Sequence, residues 1–151
     1  MPVRMELSRI LIRELNDYQI IELREVAAVP AEDGEGESFS QVENGRSFPI
    51  VIGLPEAQAI ERRLKGIPIK RPQTHDLLMN IIEAMGGKLE QILISDLAEH
   101  TFFAVLKVRD KTGKLLDIDS RPSDAIALGI ANNVPIYVAE HVLDAAQNEE
   151  T

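Results

Sequence analysis

The feature that most constrains the fold of this chain is a partial internal repeat. Residues 10–26 align without a gap on residues 92–108, at an offset of 82 positions. Residues 48–69 align in the same way on residues 115–136, at an offset of 67 positions. Self-similarity of this kind predicts one structural unit built twice. We therefore predict an α+β fold that contains a duplicated β-β-β-α-β unit, with mixed sheets packed against helices.

The repeat divides a single domain, residues 1–151, into three parts and leaves one insertion. We place the first copy at about residues 8–69, the second at about 90–138, and a linking helix at 74–85. The two offsets differ by about the length of residues 29–46, which are acidic, rich in glycine and serine, and poor in large apolar side chains. We predict that this acidic loop is exposed and inserted in the first copy.

Patterns of apolar residues and capping signals predict the remaining local structure. A hairpin around Asn16-Asp17 and a short strand at 67–69 are expected in the first copy. The linking helix is expected to begin at Thr74 as its N-cap. Two apolar helix faces are predicted, one on the helix that begins at Pro55 and one on the linking helix. Their members are Ala57, Ile60 and Leu64 on the first helix, and Leu77, Ile81, Ile82 and Met85 on the second.

The two copies differ most where the third strand of the unit passes into the helix. Pro122 of the second copy aligns with Pro55 of the first, so the start of the helix is retained. Four charged side chains of the second copy nevertheless replace apolar ones of the first. The aligned pairs are Asp117 with Ile50, Asp119 with Ile52, Arg121 with Leu54, and Asp124 with Ala57. These replacements place a candidate functional site at a strand-to-helix turn, where sites are commonly built.

The three aspartates of this turn admit two interpretations. Asp117 and Asp119 are two positions apart in a predicted strand, so their side chains point the same way, roughly 6.6 Å apart. Asp124 lies in the first turn of the following helix, where the dipole favours an anion. Converging carboxylates can bind Mg²⁺ or Mn²⁺ and position a water molecule for hydrolysis. They can equally form a salt-bridge network with Arg121, and the residues alone leave both interpretations open.

A second candidate centre lies at the start of the linking helix. His75 is near the predicted N-terminus, a favourable site for an anion, and could act as a general acid or base. Arg71 precedes it, and Arg71, Arg121 and Ser123 are candidates for holding the phosphate of a substrate. A histidine at this position is also compatible with a plain surface residue beside a helix cap.

Basic residues are clustered in two places, whereas aromatic residues are scarce. The chain has four Phe, two Tyr and no Trp, which gives little support to binding of single strands by stacked bases. The basic clusters are compatible with a phosphate track or with solvated faces. They comprise Arg62, Arg63, Lys65, Lys70 and Arg71, and Lys107, Arg109, Lys111 and Lys114.

The charge and cysteine content limit the class of protein. The net charge is −9, but residues 31–46 hold five acids and one base, and residues 140–151 hold four acids and no base. The remainder has 16 acids and 15 bases, so the folded body is near neutral and a local basic site is compatible with the acidic total. The chain has no cysteine, which excludes disulfides and cysteine-bound zinc and favours a reducing compartment. No apolar run is long enough for a membrane span, so we expect a cytoplasmic protein without a membrane partner.

Three separated motifs resemble the bifunctional nuclease (BFN) domain family. They are SRPSDAIALGIANNVPIYV at 120–138, IGLPEAQAIERRL at 52–64 and KRPQTHDLLMNIIEAM at 70–85, in the order expected for the family. The resemblance covers roughly residues 8–140. It implies an α+β fold with a duplicated unit, a homo-oligomer (a dimer or a trimer), and activity against RNA and DNA. It supplies no firmly assigned catalytic residues.

Two functions of different classes follow. The first is a nuclease that hydrolyses phosphodiester bonds of RNA or DNA, with metal assistance as one route. Its candidate catalytic residues are Asp117, Asp119, Asp124 and His75. The second is a non-enzymatic binding or regulatory module of the same fold, in which the Arg/Asp cluster fixes the structure or a ligand. The acidic composition and the few aromatic residues favour the second function, and the family resemblance favours the first.

Overall fold

The computed structural model describes residues 1–13, 15, 18–30 and 37–149. Eight strands and four helices lie within these residues. The strands are β1 (Val3–Leu11), β2 (Gln19–Pro30), β3 (Glu37–Gln41), β4 (Ser47–Ile52), β5 (Lys88–Ala98), β6 (Thr101–Arg109), β7 (Leu115–Ser120) and β8 (Ile136–Val138). The helices are α1 (Leu54–Lys65), α2 (Thr74–Ala84), α3 (Pro122–Gly129) and α4 (Glu140–Glu149).

The strands form one mixed sheet in the order β3-β2-β1-β8-β5-β6-β7, and β4 also pairs with β2. All pairings are antiparallel except the one between β5 and β8, which is parallel. The helices pack against the sheet: α1 against β2, α2 against β5, α3 against β5 and β6, and α4 against β4 and β5. The predicted α+β class is confirmed. In the described part of the chain, none of the helices is long and apolar enough to cross a membrane.

Alternating side chains of the strands build the core between the sheet and the helices. Met5 of β1, Leu23 of β2 and Ile92 of β5 are fully buried on this face. Successive side chains of a strand point to opposite faces. The side chains that alternate with these core residues along each strand therefore lie on the face of the sheet without helices. This division of the sheet into a core face and a helix-free face decides where each candidate residue lies.

Two helices begin with a proline directly after a strand. Pro55 lies in the first turn of α1, and α1 ends at Gly66 in the left-handed conformation with φ of 62°. Pro122 opens α3 in the same way, directly after β7. Proline suits the first turn because the missing N–H has no helical partner there. Of the predicted apolar face of α1, Ala57 and Ile60 are buried, but Leu64 is exposed.

The acidic loop predicted at 29–46 is wrong in part. Val29 and Pro30 end β2, and Glu37–Gln41 form β3, which pairs with them. The free edge of the long β2 supplies backbone partners for this segment, so low apolar content does not prevent a strand here. Residues 31–36 and the predicted turn at Asn16-Asp17 lie outside the described residues, although β1 and β2 pair antiparallel as the hairpin requires.

Two further local predictions are corrected. Residues 67–69 form no strand, and the N–H of Ile67 instead donates to the carbonyl of Arg62 at the end of α1. The N-cap of α2 is Gln73 rather than Thr74, because the Asp76 carboxylate accepts a 3.0 Å hydrogen bond from the Gln73 N–H. This bond is part of a capping box, in which the side chains of Gln73 and Asp76 each face the backbone N–H of the other residue. A capping box satisfies backbone donors at the helix start.

The duplicated unit remains a prediction from the sequence. The strand pairing agrees between the copies only in part: β2 and β6 each pair with the two strands expected of them, but the last strand of the second copy, β8, has no counterpart at 67–69. The register does not follow the alignment. Gln19 faces Ile52 in the first copy, whereas Asp119, which aligns with Ile52, faces Val105 rather than Thr101.

Candidate functional site

A cleft of about 670 Å³ opens where the starts of α1 and α3 come together. Its walls comprise the end of β4, the first turns of both helices and the start of β6. Phe48 of β4 stacks on Phe102 of β6, with ring centroids 5.4 Å apart, and holds these two strands together. The cleft therefore lies at the point where the N-termini of two proline-started helices meet.

Asp124 and His75 are joined beside the cleft residues Arg121 and Ser123, although neither of the two lines the cleft itself. The Nε2 atom of His75, in the first turn of α2, lies 2.9 Å from Oδ1 of Asp124, in the first turn of α3. The packing of α2 on α3 brings together two residues that are 49 positions apart. The His75 side chain is 14% exposed and that of Asp124 is 34% exposed, so the pair is partly shielded from water. A carboxylate that orients an imidazole in this way is a recurrent arrangement in acid–base catalysis.

Arg121 connects this pair to the start of the other helix. Its Nε donates to Oδ2 of Asp124 at 2.9 Å, and its Nη1 donates to Oε1 of Glu56 at 3.3 Å. Glu56 lies in the first turn of α1, as Asp124 does in α3. The four side chains form a continuous polar chain in the order Glu56, Arg121, Asp124, His75. Because Arg121 is 63% exposed, its guanidinium is accessible from the cleft.

The charges of this polar chain stabilise one another. Burial raises the pKa of the Asp124 carboxyl, but hydrogen bonds from Arg121 and His75 outweigh it, so the pKa is lowered overall. The hydrogen bond to Asp124 raises the pKa of Arg121, and Glu56 acts in the same direction. At neutral pH, Asp124 is therefore an anion and Arg121 a cation.

Protonation of Asp124 should lower the stability of the protein at acid pH. Its folded-state pKa lies below the ordinary value of about 3.9, so its contribution is complete above that value and is lost as the pH falls through the folded-state pKa. We expect the difference in free energy of unfolding between wild type and Asp124→Asn to shrink below about pH 4. Urea unfolding followed by circular dichroism at several pH values measures this difference. A difference that grows as the pH falls would contradict the assignment.

Asp117 and Asp119 lie apart from this centre. They share one face of β7, as predicted, but their cross-strand partners Lys107 and Val105 lie on the helix-free face of the sheet. Lys107 Nζ donates to Oδ1 of Asp117 at 2.9 Å. Asp124 belongs to a helix on the core face, so the sheet separates it from the other two aspartates.

The predicted three-aspartate site for Mg²⁺ or Mn²⁺ is therefore not assembled. Among the residues that the structure describes, no three His, Cys, Asp or Glu side chains are grouped so that they could hold a metal ion. The strand period correctly predicts that Asp117 and Asp119 point the same way. It does not reveal which face of the sheet the two side chains occupy. Their position on the helix-free face separates them from Asp124.

The candidate phosphate-binding residues are placed differently from one another. Ser123 is buried and contributes to the cleft, beside Arg121. Arg71 is exposed and makes no hydrogen bond or ion pair with another described residue. Most other members of the basic clusters are engaged with protein partners. These contacts are Arg62 with Gln73, Arg63 with Asp76, Lys65 with Glu61, Lys107 with Asp117, and Arg109 with Glu90.

Three titratable residues of the cleft were not predicted to belong to the site. Glu56 could have been found, because it is an acid in the first turn of a helix that begins with a proline, as Asp124 is, although it aligns with Ser123. Tyr18 and His100 carry no signal in the sequence, and the structure places both in the lining of the cleft.

Comparisons with known proteins give a family match and several relatives. The family model of the bifunctional nuclease domain matches residues 39–151. An uncharacterized protein of Mycobacterium tuberculosis (strain ATCC 25618 / H37Rv) is 44% identical over 101 residues, which cover 67% of this chain and 59% of that protein. Bifunctional nuclease 2 of Arabidopsis thaliana is 26% identical over 101 residues, which cover 65% of this chain and 30% of the plant protein.

A second plant relative gives the same result. Bifunctional nuclease 2 of Oryza sativa subsp. japonica is 27% identical over 103 residues, which cover 65% of this chain and 31% of that protein. The chain thus spans 59% of the mycobacterial relative and less than a third of either plant relative. The family match covers more than half of the chain and includes α1, α2 and α3, which carry the polar chain of the cleft. This chain belongs to the bifunctional nuclease domain family.

Proposed function

We propose that the chain is a nuclease that hydrolyses phosphodiester bonds of RNA, DNA or both in the cleft between α1 and α3. The observation that carries this proposal is the 2.9 Å contact between His75 Nε2 and Asp124 Oδ1 beside the accessible Arg121. Two plant relatives that bear the name bifunctional nuclease support the same reaction class.

His75 supplies proton transfer in the proposed reaction. Because Asp124 is ionised, it accepts a hydrogen bond from Nε2–H of His75, and in this tautomer the Nδ1 lone pair is free to act as a base. Water attacks phosphorus as Nδ1 takes its proton, and the bond from phosphorus to the leaving oxygen breaks. The imidazolium then returns the proton to that oxygen. Asp124 holds the ring in one tautomer and stabilises the transient cation.

Arg121 and the helix starts provide the phosphate site. The planar guanidinium of Arg121 already donates to Asp124 and Glu56, which fixes its orientation at the cleft. A phosphate oxygen placed beside it would gain a charge-assisted hydrogen bond. The first turn of α3 adds backbone N–H groups near Ser123, which favour an anion.

Digestion of end-labelled RNA and DNA tests this proposal. Wild type, His75→Gln and Asp119→Asn are purified identically and assayed with Mg²⁺, with Mn²⁺ and with EDTA. Asp119→Asn is the matched control, because it removes a carboxylate from the helix-free face rather than from the cleft. We expect cleavage by wild type and Asp119→Asn and its loss in His75→Gln. Equal cleavage by all three proteins would indicate a contaminating nuclease and overturn the proposal.

One observation favours the alternative of a non-enzymatic binding module. Arg121 is bound by two carboxylates, so the polar chain also acts as an electrostatic clamp between α1 and α3. In that function the cleft would hold an anionic ligand without cleaving it. Intact RNA or DNA retained by wild type, with affinity reduced in Arg121→Gln, would distinguish the binding module from the nuclease.

We also propose that the protein is a homo-oligomer, a dimer or a trimer, that assembles through the outer face of α2. The predicted apolar stripe of α2 does not enter the core, apart from the partly buried Ile82. Leu77, Leu78 and Ile81 of α2, and Met85 at its C-cap, are between 42% and 72% exposed. Contiguous apolar patches mark interaction sites, and soluble oligomers are mostly symmetric assemblies of identical chains.

Replacement of one residue at the centre of this face should dissociate the oligomer. In Ile81→Glu an uncompensated charge would be buried in the interface, which is strongly unfavourable. We expect light scattering after size-exclusion chromatography to give a dimer or trimer mass for wild type and a monomer mass for Ile81→Glu. Leu115→Glu, at a similarly exposed position on β7, is the matched control. A monomeric wild type, or an unchanged mass for Ile81→Glu, would contradict the proposed interface.

A further inference from the structure

Two arginines lie together on the helix-free face of the sheet, away from the cleft residues. Arg4 precedes Met5 in β1 and Arg24 follows Leu23 in β2, and both Met5 and Leu23 point into the core. Arg4 and Arg24 therefore point to the opposite face. The register pairs Met5 with Glu25 and Glu6 with Arg24, which makes Arg4 and Arg24 diagonal neighbours. Such neighbours lie roughly 7–8 Å apart, within reach of one phosphate group.

The Nε atoms of both arginines lack a hydrogen-bond partner in the described part of the chain. Both Nε atoms, of Arg4 and of Arg24, are buried. Other arginines in or next to the strands form ion pairs with glutamates. Arg9 binds Glu22, Arg46 binds Glu25, and Arg109 binds Glu90. A buried donor without a partner is costly, and its presence points to a ligand or ordered water that completes the site.

Aromatic rings fix one of the two cations in place. The Cζ atom of Arg4 lies 3.7 Å from the ring centroid of Phe39 and 5.9 Å from that of Tyr137. Tyr137 is the cross-strand partner of Arg4 in β8, and Phe39 belongs to β3. Stacking on Phe39 holds the planar guanidinium in one orientation, which reduces the entropy lost when an anion binds its edge.

The acid directly opposite Arg24 in the sheet does not neutralise the two arginines. Glu6 is the cross-strand partner of Arg24, but the structure places no ion pair between them. Glu22 is the next acid on the same face of β2, and it is engaged by Ser8 and Arg9. Within the described part of the chain, Arg4 and Arg24 are thus two adjacent cations beside aromatic rings, without a bound carboxylate.

We propose that Arg4 and Arg24 bind the phosphate backbone of a single-stranded nucleic acid, with Phe39 and Tyr137 beside it. Cations interleaved with aromatic rings suit a single strand, because its phosphates and unstacked bases are presented together. A phosphorylated peptide offers the phosphate but not a series of bases for the rings. The inference deepens the proposed nuclease function, since this face would hold substrate outside the cleft, but binding here does not require that cleavage occur.

Binding of a fluorescent oligo(dT) and a fluorescent oligo(U), measured by anisotropy over a range of salt concentrations, tests this inference. The variants are Arg4→Gln, Arg24→Gln and the double variant. Arg9→Gln is the matched control, because it removes the same charge from β1 at a residue already paired with Glu22. Arg4→Lys and Arg24→Lys keep the charge and are used if a glutamine variant melts below wild type. Gel analysis confirms that the oligonucleotides remain intact.

We expect each glutamine variant to weaken binding several-fold and the double variant to weaken it further, with Arg9→Gln equal to wild type. Each lost phosphate contact should reduce the salt dependence of log affinity by roughly 0.7. Affinities of both glutamine variants equal to that of Arg9→Gln would overturn the inference, as would an equal loss of affinity for a phosphoserine peptide. Anisotropy measures binding without requiring cleavage, so absence of nuclease activity would leave the binding result interpretable.

Discussion

His75→Gln and Asp124→Asn are each expected to lower the rate of RNA or DNA cleavage by about 10²–10⁴-fold. His75→Gln removes the group that accepts the proton from water. Asp124→Asn retains the shape of the side chain but removes the anion that fixes the imidazole tautomer and stabilises its protonated form. Since the two residues act as one unit, the double variant should be little worse than either single variant. Single-turnover cleavage of an end-labelled oligonucleotide measures all three rates.

Two controls separate this catalytic role from a structural one. Asp119→Asn removes a carboxylate at the end of β7 but lies on the helix-free face, so it should cleave at the wild-type rate. Thermal unfolding of each variant shows whether the fold remains populated at the assay temperature. Rates of His75→Gln and Asp124→Asn within a few-fold of wild type would contradict the proposed mechanism. So would effects of the two substitutions that multiply in the double variant.

The order of elements around the site could be predicted from the sequence. Pro55 and Pro122 mark helix starts directly after strands, and the structure confirms both α1 and α3. The family resemblance is also confirmed, since the family match covers residues 39–151. Local rules of this kind succeed because proline restricts the backbone wherever the rest of the chain lies.

The composition of the site could be predicted only in part. His75, Arg121 and Asp124 were each candidates, but the sequence assigned His75 and Asp124 to different chemical routes. Their hydrogen bond depends on how α2 packs on α3, which no local pattern specifies. Glu56 was overlooked because it becomes part of the site only through the exposed Arg121.

Burial was the least predictable property. The apolar stripe of α2 has the spacing of a core-facing helix, yet Leu77, Ile81 and Met85 are exposed in the single chain. Periodicity shows that a helix has an apolar face but not whether that face meets its own core or another molecule. The short strand β3 shows the converse, because Glu37–Gln41 is polar in sequence and still pairs with the free edge of β2. Both properties depend on more than the local sequence.

Phe48→Ala is expected to destabilise the protein by about 3–5 kcal/mol. Phe48 is 1% exposed, so truncation removes a large buried side chain and leaves a cavity. Its ring also stacks on Phe102 at 5.4 Å with an interplanar angle of 25°, and an aromatic pair adds about 0.5–1.5 kcal/mol beyond the buried area. Since this contact joins β4 to β6 beside the cleft, the variant should lose cleavage activity at a lower temperature than wild type.

Urea unfolding monitored by circular dichroism measures this loss, with Phe103→Ala as the matched control. Phe103 follows Phe102 in β6, but it lies on the helix-free face and is 41% exposed. Its truncation leaves no internal cavity, so we expect a loss below about 1 kcal/mol. Phe48→Leu keeps much of the volume without the ring, and its stability should fall between those of wild type and Phe48→Ala. Equal losses for Phe48→Ala and Phe103→Ala would show that β4 and β6 are not held together by this core contact. The position of the cleft would then require another explanation.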